Sequence, residues 1–162
     1  MAGYDTLKLW LPNYEAPECD LLAEIPLMLN ERVDLHNHNQ AEVIVLGYHR
    51  NLRVSVRPSG VSIEGSANKY LLGQNLETIS REQAKEYIGS ISHELNLPLH
   101  LAKVSRIDFS DNMEMEYKPE TYLKKLGAAR HFKRFEKDKG LKYHKANCDL
   151  IFYDKIAEMN KT

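Results

Sequence analysis

The chain predicts an α+β fold, a mainly antiparallel β-sheet with helices packed on one face. Three observations carry this. Residues 43–48, 52–56 and 60–63 are short runs rich in Val, Ile and Leu, separated by turn residues, and read as an antiparallel meander. Residues 5–11 alternate Thr6, Lys8 and Trp10 against Leu7, Leu9 and Leu11, a strand stopped by Pro12. Ser80-Arg81-Glu82-Gln83 is a capping box, and Ala84, Tyr87, Ile88, Ile91 and Leu95 follow it at helical spacing.

The remaining elements fall between these. Residues 19–30 are apolar enough for a helix, although Pro26 interrupts it. The Asn- and His-rich piece 35–40 reads as a mobile loop. The first two meander strands turn at Arg50-Asn51, and the third follows Pro58-Ser59. Residues 66–72 predict a short helix ended by Gly73. After Pro98, residues 100–109 form a strand on which Arg106 and Asp108 share one face while Ile107 and Phe109 turn to the core. Lys118-Pro119-Glu120 opens a helix running to about Leu126, before Gly127. Residues 131–135 and 141–144 make a hairpin about Asp138-Lys139-Gly140, residues 149–153 form the last strand, and the segment from Ile156 can be helical.

Composition bounds the function. At 162 residues, 43% hydrophobic and 28% charged, the chain has the make-up of one ordinary domain, spanning 1–162 and burying about 70% of its unfolded surface. No apolar run approaches the roughly 20 residues that span a bilayer, and the N-terminus lacks the order of a secretion signal. Cys19 and Cys148 lack metal-ligand spacing and read as free thiols, so a cytoplasmic location is expected. The formal net charge of -1 argues against simple DNA binding, but its distribution does not. Lys118, Lys124, Lys125, Arg130, Lys133, Arg134, Lys137, Lys139, Lys142 and Lys145 outnumber Glu120, Glu136 and Asp138, a local net of about +7. Tyr122, His131, Phe132, Phe135, Tyr143 and His144 lie among them. Lysines in such a segment can neutralise phosphates while aromatic faces stack on unpaired bases. A solvated Lys-rich helix and hairpin is the plain alternative.

The candidate chemistry sits at the end of the last strand. A phenol is a poor nucleophile at neutral pH and needs a neighbouring cation or base. On an extended segment Tyr153 and Lys155 would project together, with Phe152 and Asp154 on the other side. Transesterification of a phosphodiester also needs its growing charge met by arginine or by a divalent metal on carboxylates. Arg106 and Asp108 are residue types suited to that task. The same residues have plain readings too: an amphipathic tyrosine with a wet hydroxyl, and a structural Arg–Asp pair. Gly65 and Gly73 could let backbone approach a phosphate, and His36, His38 and His144 are further candidate metal ligands, with His144 also a candidate proton carrier.

The blocks Gly60-Val61-Ser62-Ile63-Glu64-Gly65-Ser66, Lys69-Tyr70-Leu71-Leu72-Gly73, Val104-Ser105-Arg106-Ile107-Asp108-Phe109 and Phe152-Tyr153-Asp154-Lys155 occur in one order. In that order the chain resembles the gene II/X family of phage and plasmid replication proteins, rolling-circle initiators related to the Rep_trans plasmid initiators. The resemblance runs from about Tyr4 to the last residues and implies the N-terminal portion of a longer family pattern. It implies a single replication-initiator endonuclease domain with a rolling-circle Rep fold, which nicks one strand and transfers it through a 5′-phosphotyrosine. Carried over, Tyr153 is the nucleophile, Lys155 its electrostatic helper and Arg106 a phosphate contact. Asp108 and Glu158 become ligands of a divalent metal, Mg or Mn. Lys69, Lys124, Lys125, Arg130, Lys133, Arg134 and Lys142 are the expected DNA-binding positions. The implied partners are single-stranded or origin DNA and the host replication machinery, with no membrane. The His-hydrophobic-His pair of the wider superfamily is not matched, because His36-Asn37-His38 has a polar middle residue. A non-catalytic regulator of phage or plasmid replication that only occupies the origin is the alternative, and a structural protein a third.

Overall fold

The computed structural model describes residues 2–37, 42–74, 76–137 and 140–159. They fall into two compact units, Met1–Asp111 and Asn112–Thr162.

In the first unit the chain enters on β1, Gly3–Pro12, and passes through the single-turn α1, Leu21–Glu24, capped by the Asp20 carboxylate on the Ala23 N–H. A 3₁₀ turn over Ile25–Met28 follows, then β2, Asn30–Asn37. The meander is β3, Glu42–His49, β4, Leu52–Arg57, and β5, Gly60–Ser66. Ser66 then caps α2, Ala67–Leu72, which ends in the left-handed Gly73. The capping box at Ser80 and Gln83 starts α3, Arg81–Glu94, and β6, Lys103–Ser110, closes the unit.

All pairings are antiparallel and the order is β2-β3-β4-β5-β1-β6. The first strand is thus inserted between the last strand of the meander and β6. The turn into β5 depends on Gly60, whose φ is +150° and where a Cβ would lie 2.2 Å from the Leu11 carbonyl oxygen.

Strand alternation sorts the two faces of this sheet. Leu7, Leu9, Leu11, Val54, Val56, Val61 and Ile63 are buried in one core with Leu21, Ile25, Ala84, Tyr87 and Ile91 from the helical segments. Burying each large side chain of this kind contributes about 1.5–3 kcal/mol, so the helices hold to one face as the pattern predicts. On the other face the register places Arg53, Glu64, Lys8 and Arg106 side by side across four strands.

A polar clasp ties the meander to α3. Glu94 accepts from Arg50 at 2.6 Å and meets His49 Nε2 at 2.7 Å, and the Arg50 guanidinium lies 4.8 Å over the Tyr70 ring. Burial works against the Glu94 charge, but the His49 hydrogen bond, the neighbouring Tyr70 hydroxyl and the Arg50 charge hold its carboxyl below the usual range. Burial, with the Glu94 carboxylate second, pushes the Tyr70 phenol up to about 12.

Four expectations change. The helix foreseen over 19–30 is one α-turn and a 3₁₀ turn, because Pro26 lacks the N–H that continued α-helix needs and Leu29 is already extended. The loop expected from residue 35 is strand through Asn37, paired with β3; residues 38–41 lie outside the described residues. Ile107 and Phe109 pair with Leu7 and Tyr4 on the core side of the sheet but are not buried: β6 is an edge strand, and they are 42% and 62% exposed, the Phe109 ring lying 4.8 Å from that of Tyr4. The helix from Pro119 ends at Leu123, sooner than Leu126.

The second unit contains α4, Pro119–Leu123, then β7, Lys133–Lys137, β8, Gly140–Lys145, β9, Cys148–Tyr153, and α5, Lys155–Met159. Its three strands form an antiparallel sheet in the order β7-β8-β9. Leu141 and Tyr143 are its buried apolar side chains among the described residues, and the Tyr143 hydroxyl donates to the Gly127 carbonyl. The hairpin and final strand read from the sequence are therefore present; the turn residues Asp138 and Lys139 lie outside the described residues.

Candidate functional site

Tyr153 is the last residue of β9, and the chain turns at once because Asp154 caps α5. The Asp154 carboxylate accepts the Ala157 N–H at 2.9 Å, and its carbonyl accepts the Glu158 N–H at 3.1 Å. Lys155 is thus the first helical residue, and strand alternation does not bring it to Tyr153 as expected. Its side chain nevertheless folds back. Lys155 Nζ lies 3.5 Å from the Tyr153 hydroxyl and donates to Glu158 Oε2 at 2.9 Å, while sitting 5.6 Å from the centre of the tyrosine ring. Three residues chosen from the sequence, Tyr153, Lys155 and Glu158, meet in one cluster.

The electrostatics of that cluster favour a permanent charge. Partial burial of Lys155 opposes its ammonium, but the Glu158 hydrogen bond and the fields of Tyr153 and Glu158 outweigh it and raise the pKa above the ordinary lysine value. Lys155 therefore stays protonated at neutral pH. The phenol it faces is exposed, with 43% of the residue open to solvent.

The other candidates lie in the first unit, on its sheet. Arg106 grips Asp108 through two bonds, Nε to Oδ1 at 2.8 Å and Nη2 to Oδ2 at 2.6 Å. Its third nitrogen reaches Glu64 at 3.2 Å, and Glu64 in turn holds Lys8 at 3.1 Å. Glu64 and Lys8 were not foreseen as members of this ladder. They join it through strand pairing, and nothing in their local sequence marks them. Lys69 lies on α2 and is exposed.

The basic positions of the second unit are divided by its sheet. Lys124, Lys125 and Arg130 are exposed after α4. Lys133 and Lys142 project from the same face as Tyr153, whereas Arg134 lies on the reverse face and pairs with Glu136 at 2.6 Å. Asp149 receives Lys142 and His144, each at 2.7 Å, and these hydrogen bonds hold its carboxyl below the usual range.

Oxygen donors for a metal are committed to cations in this geometry: Asp108 and Glu64 to Arg106, Glu158 to Lys155. Among the described residues no three His, Cys, Asp or Glu side chains are grouped to hold an ion. Asp108 or Glu158 would have to exchange its partner before taking a metal. The side chain of His36 and the whole of His38 lie outside the described residues. Gly65 sits within β5 against Leu52, and Gly73 is a helix C-cap, so both glycines have structural uses. No helix among the described residues is long and apolar enough to cross a membrane.

Comparison with known proteins adds one finding. Neither a curated protein nor a solved structure matches the chain. The pattern of the family described as the N-terminal part of the phage gene II replication-associated protein matches residues 20–162. With most of its length matched, including both β6 and the tyrosine segment, the chain belongs to this N-terminal family of gene II-type replication-associated proteins and has its role in phage replication initiation.

Proposed function

We propose that this chain is a rolling-circle initiator that nicks one DNA strand with Tyr153. The observation that carries the reading is the position of Lys155 between the Tyr153 hydroxyl and the Glu158 carboxylate, at 3.5 and 2.9 Å. In the step proposed, Tyr153 Oη loses its proton and attacks the phosphorus. The P–O3′ bond breaks, leaving a 5′-phosphotyrosine and a 3′-oxygen that takes up a proton as the free hydroxyl. The fixed ammonium of Lys155 favours the phenolate as it forms, and Arg106 offers a guanidinium to a phosphate. Mg or Mn would be the accompanying ion, and Asp108 of the first unit or Glu158 of the second would each have to give up its cation before offering an oxygen to it. Lys69, Lys124, Lys125, Arg130, Lys133, Arg134 and Lys142 supply the positive field that draws in DNA. The free 3′-hydroxyl must then be extended by a polymerase, which makes the host replication machinery the downstream partner.

The test is incubation of the chain with labelled single-stranded origin DNA and Mn²⁺, read on a denaturing gel, beside Tyr153→Phe. An adduct that is lost in Tyr153→Phe supports the reading; an adduct that survives the change removes Tyr153 as the nucleophile. Salt-dependent DNA binding without any adduct supports the second reading, a regulator that occupies the origin. The commitment of each carboxylate donor to a cation is what favours that alternative.

A further inference from the structure

The three-stranded sheet sorts the basic segment into two unlike faces. Direct cross-strand partners share a face, so the pairings Lys133–His144–Asp149, Phe135–Lys142–Ile151 and Lys137–Gly140–Tyr153 lay out three rows of three on one side. The reverse side carries Arg134–Tyr143–Leu150 and Glu136–Leu141–Phe152. Leu141 and Tyr143 are buried there, and α4 packs on β8 and β9. On the first side Phe135, Ile151 and Tyr153 are 48%, 49% and 43% exposed; on the reverse side Leu150 and Phe152 are 43% and 37% exposed around the buried pair. The charge of the first side is lopsided, with Lys133, Lys137 and Lys142 against Asp149, which already holds Lys142 and His144.

An aromatic ring flanked by lysines, on the same face as the candidate nucleophile, has the chemistry that takes an unpaired base between phosphates. We infer that this face is a platform for single-stranded DNA next to the cleaved phosphate, with Phe135 stacking on a base and Lys133 and Lys137 meeting phosphates. The inference rests on Tyr153 as the nucleophile for its link to cleavage, but the binding surface can be measured without cleavage. Duplex DNA does not suit it, since paired bases present no face to Phe135.

The experiment is fluorescence anisotropy with labelled oligothymidylate in the Tyr153→Phe background, where no adduct forms. Phe135→Leu, which keeps apolar bulk and loses the ring, is expected to weaken binding roughly 5- to 150-fold, the range of one lost base–aromatic stack, and Phe135→Trp to retain it. Lys133→Gln is expected to lower the slope of log K against log salt by about 0.7, one phosphate on a single strand. Lys145→Gln, on the reverse face and already over the Phe132 ring at 5.9 Å, should leave affinity within about two-fold. Parent-like binding by Phe135→Leu, or a Lys145→Gln loss equal to that of Lys133→Gln, would overturn the platform. These outcomes are separable from the adduct assay: an adduct with unchanged Phe135→Leu affinity removes the platform alone, and the expected affinity losses without an adduct remove the nickase reading alone.

Discussion

At the residue scale the decisive contact is Lys155 on Tyr153. Lys155→Met removes the fixed charge while keeping the stem, and adduct formation should slow about 100-fold, as when one preorganised donor is lost elsewhere. Single-turnover gels at saturating DNA check this; Lys155→Arg should recover part of the rate, since a guanidinium can serve the same oxygen. Glu94 makes a different kind of prediction. Its carboxyl is held below the ordinary glutamate value in the folded chain. Its contribution is therefore fully present above the unfolded pKa and is lost as pH falls through the folded one. Thermal melts taken downward from pH 7 should show wild type losing its margin over Glu94→Gln as the medium becomes acidic. At pH 7 the variant should be about 1.5–3 kcal/mol less stable, the worth of hydrogen bonds to a charged group. An equal difference at pH 7 and pH 3 would refute the linkage.

At the element scale the sheet of the second unit depends on Gly140, not on a charged residue. A Cβ there would lie 2.6 Å from the Phe152 carbonyl oxygen and 3.2 Å from the Tyr153 Cβ. Gly140→Ala should displace the end of β9 and reduce adduct yield, with a stability loss of about 1–3 kcal/mol from overpacking. Wild-type adduct yield in a stably folded Gly140→Ala would contradict the close approach. Elements with local signatures were legible in the sequence: the Ser80 capping box, the Gly73 stop and the alternation of β1 all stand as read. The Ala146-Asn147 turn between β8 and β9 was not, because Ala146 is held at φ 45°, a conformation its side chain disfavours and no sequence rule would assign to it. The strand β2 was missed for a related reason. Its residues Arg32-Val33-Asp34-Leu35-His36 do alternate with period 2, but the run is short and merges into the Asn- and His-rich stretch, and pairing with β3 extends it to Asn37.

At the scale of the whole molecule the two units differ in how much they bury. The first holds one core of about twenty side chains, and the second buries Leu141 and Tyr143 among its described residues. Amide exchange should therefore be slowest in β1, β4, β5 and α3 and markedly faster in β7 to β9, because protection follows the free energy of opening. Uniform protection across both units would show that the second unit has more support than its own core gives it. The sequence by itself determined the fold class, the Ser80 capping box and Gly73 stop, the basic segment and the tyrosine segment, since each depends on neighbours a few residues apart. The tertiary structure alone decided that Arg106 and Glu64 join one ladder, that Phe109 stays exposed on an edge strand, and that Lys133 rather than Arg134 shares the face of Tyr153. Those outcomes are set by strand order and register, which bring together residues far apart in the chain, and pairing partners of that kind leave no mark in any local stretch of sequence.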